Sequence, residues 1–308
     1  MSKKIFVALS TFAEYNASPL KLLEKSGYDF SVNTLGRRLV REEIIALGKD
    51  ADGIVAGVEP YDDFVLERLP RLKCISRCGV GIDNIDLKKA AERRIVIRNT
   101  PDVVIQPVVE LTVAMIFDLL RRLSYHTGIL KSRQWKKRTG NLLLGKKIGI
   151  LGLGRIGKRV AETMIKLGNE VYGTDINPDK NWASENGVHI VSFEELLAVS
   201  DVLSIHANYI KEKPLLIGDR EMSLMKEGAF LLNVSRGQLV DEEALYSALK
   251  NGHLAGAALD VFSQEPYAGK LCELDNIVLT PHVATLTVES RTQMEVESVE
   301  NLLNHLNS

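Results

Sequence analysis

A chain of 308 residues, 45% hydrophobic and 26% charged, has the composition of an ordinary soluble globular protein and the length for two domains with separate cores. Thirty-nine Lys plus Arg balance forty Asp plus Glu at a net charge of −1, so no overall field draws it to nucleic acid or an anionic membrane, and neither is expected as a partner. Cys74, Cys78 and Cys272 are too few and too scattered for a disulfide framework or a zinc site, so no metal is expected and a reducing cytoplasm suits the chain. From "MSKKIFVALS" onward, short β-rich runs alternate with helical patterns. "KIFVAL" precedes "SPLKLLEKSG", "DFSVNT" precedes "REEIIALGKD", "GIVAG" precedes "DDFVLERLP", "LKCISRCG" precedes "DLKKAAERR", and "IVIRNTP" closes the series. The alternation stops at "PVVELTVAMIFDLLRRL", residues 107 to 123, a helix opened by Pro107 and apolar on almost every face, which must be buried. After the polar segment 131 to 141 it resumes through "KKIGILGLGRIG", "EVYGTD", "VHIV", "DVLSIH", "AFLLNVSRG", "GAALDVFS" and "NIVLTPH", a complete doubly wound sheet. The last stretch, "TVESRTQMEVESVENLLNHL", is a long amphipathic helix with no strand after it. No run approaches a membrane span, and no internal repeat is present.

The second α/β series opens on a glycine turn. Gly152, Gly154 and Gly157 form G-x-G-x-x-G directly after an apolar strand and before the helix "KRVAETMIKLG". The first glycine permits the tight turn, the second lets a pyrophosphate approach the backbone, and the third lets helix pack on strand. Such turns also occur as bare structure. Here the next strand ends at Asp175, an acid placed to accept hydrogen bonds from the ribose hydroxyls of NAD and to repel the 2′-phosphate of NADP.

Three ionisable residues sit just past strand ends of this second series, where a parallel sheet collects its ligands: Arg236, Glu265 and His282. Hydride exchange with a 2-oxo acid needs a fixed cation for the carbonyl and carboxylate, and a group that moves a proton near neutral pH. Arg236 and His282 meet those needs, and Glu265 is a carboxylate able to orient the imidazole. His206, after "DVLSI", stands at another strand end, and position alone does not separate it from His282.

The motifs "GLGRIG" with Asp175, "NVSRG" with Arg236, "ALDVFSQEP" with Glu265 and "LTPHVA" with His282 resemble the signature of NAD-dependent D-2-hydroxyacid dehydrogenases, and "SRCGVGIDNIDLKKA" and "RNTP" resemble that family's substrate-domain motifs. The resemblance runs in order from about residue 50 to residue 295. It implies an α/β fold of two doubly wound parallel-sheet domains. A Rossmann NAD-binding domain, residues 99–284, would be inserted into a flavodoxin-like substrate domain, residues 1–98 and 285–308. It also implies catalysis by Arg236, Glu265 and His282, with Arg236 on the substrate carboxylate and carbonyl, His282 as general acid/base and Glu265 as its partner. Arg77 to Gly81 would be the substrate loop: Arg77, Cys78, Gly79 and Val80 join Arg236 and His282 on the substrate, and Val80 lies near the nicotinamide. Cofactor contacts carry over to Gly152, Gly154, Arg155, Ile156, Gly157, Asp175, His206, Ala207, Val234, Ser235, Arg236, Asp260, His282 and Ala284, with Asp260 on the carboxamide. The helix from Pro107 would help form a homodimer, as it does in relatives.

Three departures stand out. "HANYIKEKP" follows the fourth strand of the nucleotide domain where relatives show H-x-P-L-T, "IQPVVEL" replaces a run of small residues, and Thr285 stands where glycine or serine is common. Within the family, "GVGIDNIDLKKAA" and "HVATLTVESR" look most like phosphoglycerate dehydrogenases, with Arg77 or the basic run "KSRQWKKR" at 131 to 138 as candidate phosphate cations. A solvated surface loop is an equal reading of that run. No regulatory domain of the kind many phosphoglycerate dehydrogenases carry is expected here. Glyoxylate or hydroxypyruvate reduction is the alternative within the same chemistry, and an NAD(H)-sensing corepressor-like binding protein the alternative outside it.

Overall fold

In the computed structural model, which describes residues 3–210 and 215–307, every apolar run of the two series becomes a parallel strand. The first sheet holds β1 (Lys4–Val7), β2 (Asp29–Val32), β3 (Gly53–Ala56), β4 (Cys74–Arg77) and β5 (Val96–Arg98) in the order β2-β1-β3-β4-β5. β3 is buried throughout, as a central parallel strand covered on both faces should be. One face packs Phe6, Ile54 and Ile75 against Leu39, Ile44, Val65, Leu66 and Leu69. The terminal helix, Val288–Asn307, also lies on this sheet, so close that a Cβ on Gly53 would stand 2.7 Å from Leu302 Cδ1. Any larger residue there would force the Leu302 side chain to shift.

The second sheet holds β6 (Lys147–Leu151), β7 (Glu170–Thr174), β8 (Val188–Ile190), β9 (Val202–Ile205), β10 (Ala229–Asn233), β11 (Leu254–Leu259) and β12 (Ile277–Leu279). Their order is β12-β11-β10-β9-β6-β7-β8, all parallel, so the winding reverses at β6 and β9. That is the switch point where such sheets bind ligands. Successive strand residues enter different apolar clusters: Val202, Phe230 and Leu232 join one, and Leu203, Leu231 and Ile205 the other. The period of two therefore buries both faces.

Two compact units result, one running to Val104 and resuming at Thr285, the other Ile105–Ala284. The division falls at 104/105, where the sequence reading put it at 98/99. Thr100 explains the difference. Its N–H donates to Gly79 O at 3.1 Å and its Oγ1 accepts from Gly79 N at 2.8 Å, which binds the segment to the first unit.

The helix read from 107 to 123 spans Ile105–Arg121 and ends because Arg122 takes a left-handed φ of 54°. A second helix, Leu123–Lys131, follows in the stretch between the expected helix and the polar segment, to which the sequence reading gave no element. Burial of the first is one-sided: Val108, Val109, Thr112, Met115, Ile116, Leu119 and Leu120 are buried, whereas Ala114 and Phe117 are exposed. Among the described residues no helix is long and apolar enough to cross a membrane, and no group of three His, Cys, Asp or Glu could hold a metal ion.

Candidate functional site

The glycine turn after β6 has three different tenants' requirements. Gly152 sits at φ 96°, and a Cβ there would lie 2.6 Å from Ala207 N, because the turn runs against the segment leaving β9. A Cβ on Gly157 would lie 1.9 Å from Gly152 O, so the helix Arg155–Lys166 rests directly on the turn. Gly154 is the opposite case. Nothing stands within 4 Å of its Cβ position, which leaves the helix N-terminus open to an approaching pyrophosphate. Asp175, half-buried at the end of β7, accepts from Leu153 N at 2.7 Å and from Asn177 N at 2.9 Å. A carboxylate has lone pairs to spare beyond those two bonds, so it suits a ribose diol. Arg155 is exposed and Ile156 half-buried at the same turn. These features fit a dinucleotide.

Beside the turn, His206 N donates to Leu151 O at 2.7 Å, and its ring Nε2 meets Ser204 Oγ at 2.8 Å. Burial pulls this imidazole down to about 4, so it is neutral at physiological pH. Ser235 Oγ donates to Ala207 O at 2.6 Å, tying the end of β10 to the segment after β9, and Val234 is buried behind it. The "HANYIKEKP" departure is described only through Ile210; Lys211 to Pro214 lie outside the described residues.

The three candidate catalytic residues leave the ends of β10, β11 and β12, which are neighbours in the sheet. Asn233, fully buried at the last position of β10, accepts from Ser235 N at 3.0 Å and donates from Nδ2 to Arg236 O at 2.8 Å, so the backbone on both sides of Arg236 is held. The half-buried Arg236 donates from Nη1 to Ser235 O at 2.8 Å. The next residue, Gly237, passes so near the segment after β11 that a Cβ would stand 1.9 Å from Phe262 C. In that segment Glu265 accepts from Phe262 N at 3.1 Å through Oε1 and meets His282 Nδ1 at 3.0 Å through Oε2. With Nδ1 so engaged, the outward ring nitrogen of His282 is Nε2. The pair remains open to ligand, with side-chain exposures of 39% and 47%.

His282 itself takes φ 56°, a left-handed conformation uncommon outside glycine. Asp260 accounts for it. This wholly buried carboxylate accepts from Thr280 Oγ1 at 2.6 Å, Val283 N at 2.8 Å and Ala284 N at 2.9 Å, which brackets His282 on both sides. Asp260, expected on the carboxamide, also anchors the His282 turn through these three bonds. Thr280 and Asn233 went unnoticed in the sequence, although each is a polar residue at or just past the end of an apolar strand, the signal that finds Asp260; Ser204, inside β9, carries no such signal.

The Arg77–Gly81 loop lies in the first unit. Cys78 N donates to Ala56 O at 2.8 Å, Asn99 Nδ2 donates to Val80 O at 2.8 Å, and Gly79 takes φ 131°. Burial pushes the Cys78 thiol up to about 11, which removes it as a nucleophile, whereas Val80 is exposed and Arg77 half-buried. Of the basic run, Arg138 is held: its guanidinium lies 4.0 Å over the Tyr125 ring, its N–H donates to His126 Nε2, and Asp275 stands 3.5 Å away. Residues 131–137 are exposed.

Comparison with known proteins agrees with this geometry. The model of the D-isomer specific 2-hydroxyacid dehydrogenase NAD binding domain matches residues 113–284. A glyoxylate reductase from Thermofilum pendens is 38% identical over 275 residues, covering 85% of this chain and 80% of that enzyme. A D-3-phosphoglycerate dehydrogenase from Methanocaldococcus jannaschii is 38% identical over 278 residues, 88% of this chain but 52% of that longer one, so the match spans about half its length. Among solved structures, a D-lactate dehydrogenase from Aquifex aeolicus complexed with NAD and lactic acid superposes with a TM-score of 0.85 at 29% identity, covering 99% of this chain and 96% of that one. The glycine turn with its acid, the strand-end arginine and the histidine–glutamate pair thus have a common explanation: the chain belongs to the D-isomer specific 2-hydroxyacid dehydrogenases, NAD-dependent oxidoreductases that act on the CH–OH group of a 2-hydroxy acid.

Proposed function

We propose that His282, Glu265 and Arg236 carry the reaction, and that the contact between His282 Nδ1 and Glu265 Oε2 at 3.0 Å is the observation on which this rests. Glu265 fixes the ring so that Nε2 holds the proton for the carbonyl oxygen of a 2-oxo acid, or receives it from the hydroxyl of the reduced acid. Arg236 offers a planar fork of donors to the carboxylate and the carbonyl. NAD, when bound, supplies or accepts the hydride. Gly152, Gly154, Arg155, Ile156, Gly157 and Asp175 would hold its pyrophosphate and ribose, with His206, Ala207, Val234, Ser235 and Ala284 lining the rest. Asp260 keeps the His282 turn in place, and the Arg77–Gly81 loop binds the substrate carboxylate through backbone N–H groups.

Two substrates fall within this chemistry. D-3-phosphoglycerate is the first reading, on the "GVGIDNIDLKKAA" and "HVATLTVESR" motifs and on the likeness to a D-3-phosphoglycerate dehydrogenase over 88% of this chain. Glyoxylate or hydroxypyruvate is the second, because a glyoxylate reductase matches over 80% of its own length as well. Catalytic efficiencies on 3-phosphohydroxypyruvate, hydroxypyruvate, glyoxylate and pyruvate with NADH decide between them. His282→Ala should lower kcat on the best of these by about a hundredfold or more, the size of a lost general acid, and an unaltered kcat would remove His282 from the chemistry.

A homodimer is part of the same proposal. Phe117, Leu123, Leu130, Trp135, Leu142 and Leu144 expose apolar surface along or after the Ile105–Arg121 helix, with Trp135 80% exposed. A second copy would cover them, and sedimentation equilibrium tests it. Three free thiols favour a reducing compartment such as the cytoplasm.

A further inference from the structure

The terminal helix carries an ion pair where an apolar pair would serve packing as well. Glu295 is 2% exposed; its Oε1 accepts from Arg291 Nη2 at 2.7 Å, and its Oε2 accepts from the backbone N–H of Ala13 at 2.8 Å. The same Arg291 Nη2 donates to Thr11 Oγ1 at 3.3 Å. Burial pushes the Glu295 carboxyl up, opposed by the Ala13 N–H and by Arg291. Thr11 and Ala13 belong to the loop after β1, at the same carboxyl edge of the first sheet from which the Arg77–Gly81 loop leaves β4. Ala13 has a φ of 60°, a left-handed value that a non-glycine residue keeps only when its surroundings impose it. Cys78, in the second loop, is buried just past the end of β4, a strand on which the same terminal helix packs.

Loops from two different strands therefore border one helix far along the chain, and its buried pair binds the first of them. Buried ion pairs add little stability over apolar side chains of similar size, so stability alone does not explain this one. We propose that Glu295 and Arg291 are positioning residues for the 2-oxo acid: they hold the loop after β1 in place beside the Arg77–Gly81 loop, so that the two together form the surface that receives the acid. This rests on the reading of Arg77–Gly81 as the carboxylate-binding loop. The pair touches no reacting atom, and its effect is on where Thr11, Phe12 and Ala13 stand.

The test is steady-state kinetics on glyoxylate and hydroxypyruvate with NADH, together with NADH affinity by fluorescence and the melting temperature. Glu295→Gln should raise KM for the oxo acid about tenfold, with a smaller change in kcat and in NADH affinity. Adding Ala13→Gly should recover part of the loss, because glycine keeps φ near 60° without the lost bond. A KM unaltered by Glu295→Gln, or one that rises only in step with a falling melting temperature, overturns the proposal. So does a raised KM with no recovery in the double variant. Should Glu295→Gln fail to fold, Thr11→Val, which removes only the loop side of the network, should move KM the same way, and no movement overturns the proposal. Gly79→Ala separates the two readings. If it leaves KM unmoved, the substrate-loop reading fails; if it raises KM while Glu295→Gln does not, the positioning proposal alone fails.

Discussion

Two histidines leave strand ends of one sheet, and their immediate partners give them different chemistry. His282 has a carboxylate at 3.0 Å and open surroundings; His206 has a serine hydroxyl at 2.8 Å and is half-buried. Desolvation disfavours the charged form of His206 and sets its ring at about 4, against 6.5 for an ordinary histidine. As pH falls, the unfolded chain takes up that proton first. The stability linked to neutral His206 is therefore complete above about pH 6.5 and is lost as pH falls toward 4. Urea unfolding across that window should show a slope that His206→Asn flattens, and the same slope in the variant would mean that the ring is solvated. The partner of His282 lies 17 positions away and was not legible in "NIVLTPH"; Ser204 stands two residues before His206 in "DVLSIH", but the desolvation of that ring is not written there.

At the scale of elements, the strand–turn–helix from Lys147 to Lys166 was legible because all its determinants are local: an apolar run, a glycine at positive φ, and a helix with one apolar stripe. Its glycines nonetheless do different work, and two substitutions separate them. Gly157→Ala places a methyl 1.9 Å from Gly152 O and should destabilise the protein by about 1–3 kcal/mol, read in denaturant unfolding. Gly154→Ala meets nothing within 4 Å, so stability should change by less than about 0.5 kcal/mol. Its methyl would instead stand where the pyrophosphate approaches, weakening NADH binding by about tenfold or more in a fluorescence titration. Equal behaviour of the two variants would contradict this division. The break at Arg122 and the helix after it were not legible, since neither proline nor glycine marks that break and the left-handed residue is an arginine.

On the scale of the whole molecule, the second unit is continuous in sequence and encloses two apolar clusters of its own, whereas the first is assembled from both ends of the chain. Expressed alone, residues 105–284 should unfold cooperatively and bind NADH without turning over any 2-oxo acid; a non-cooperative melt would show that the unit leans on the first for its core. By itself the sequence determined the α/β alternation, the switch from one sheet to the next, the glycine turn with Asp175 and the polar residues at strand ends, because periodicity and turn conformation are set by neighbours within a few residues. Only the tertiary structure decided how closely Val288–Asn307 packs on Gly53 of the first sheet, which atoms join Glu265 to His282, and that Asp260 and Glu295 spend their carboxylates on distant backbone. Those contacts join residues up to 282 positions apart, and which of many possible partners a buried polar group finds is settled by the packing of the whole chain rather than by any segment of it.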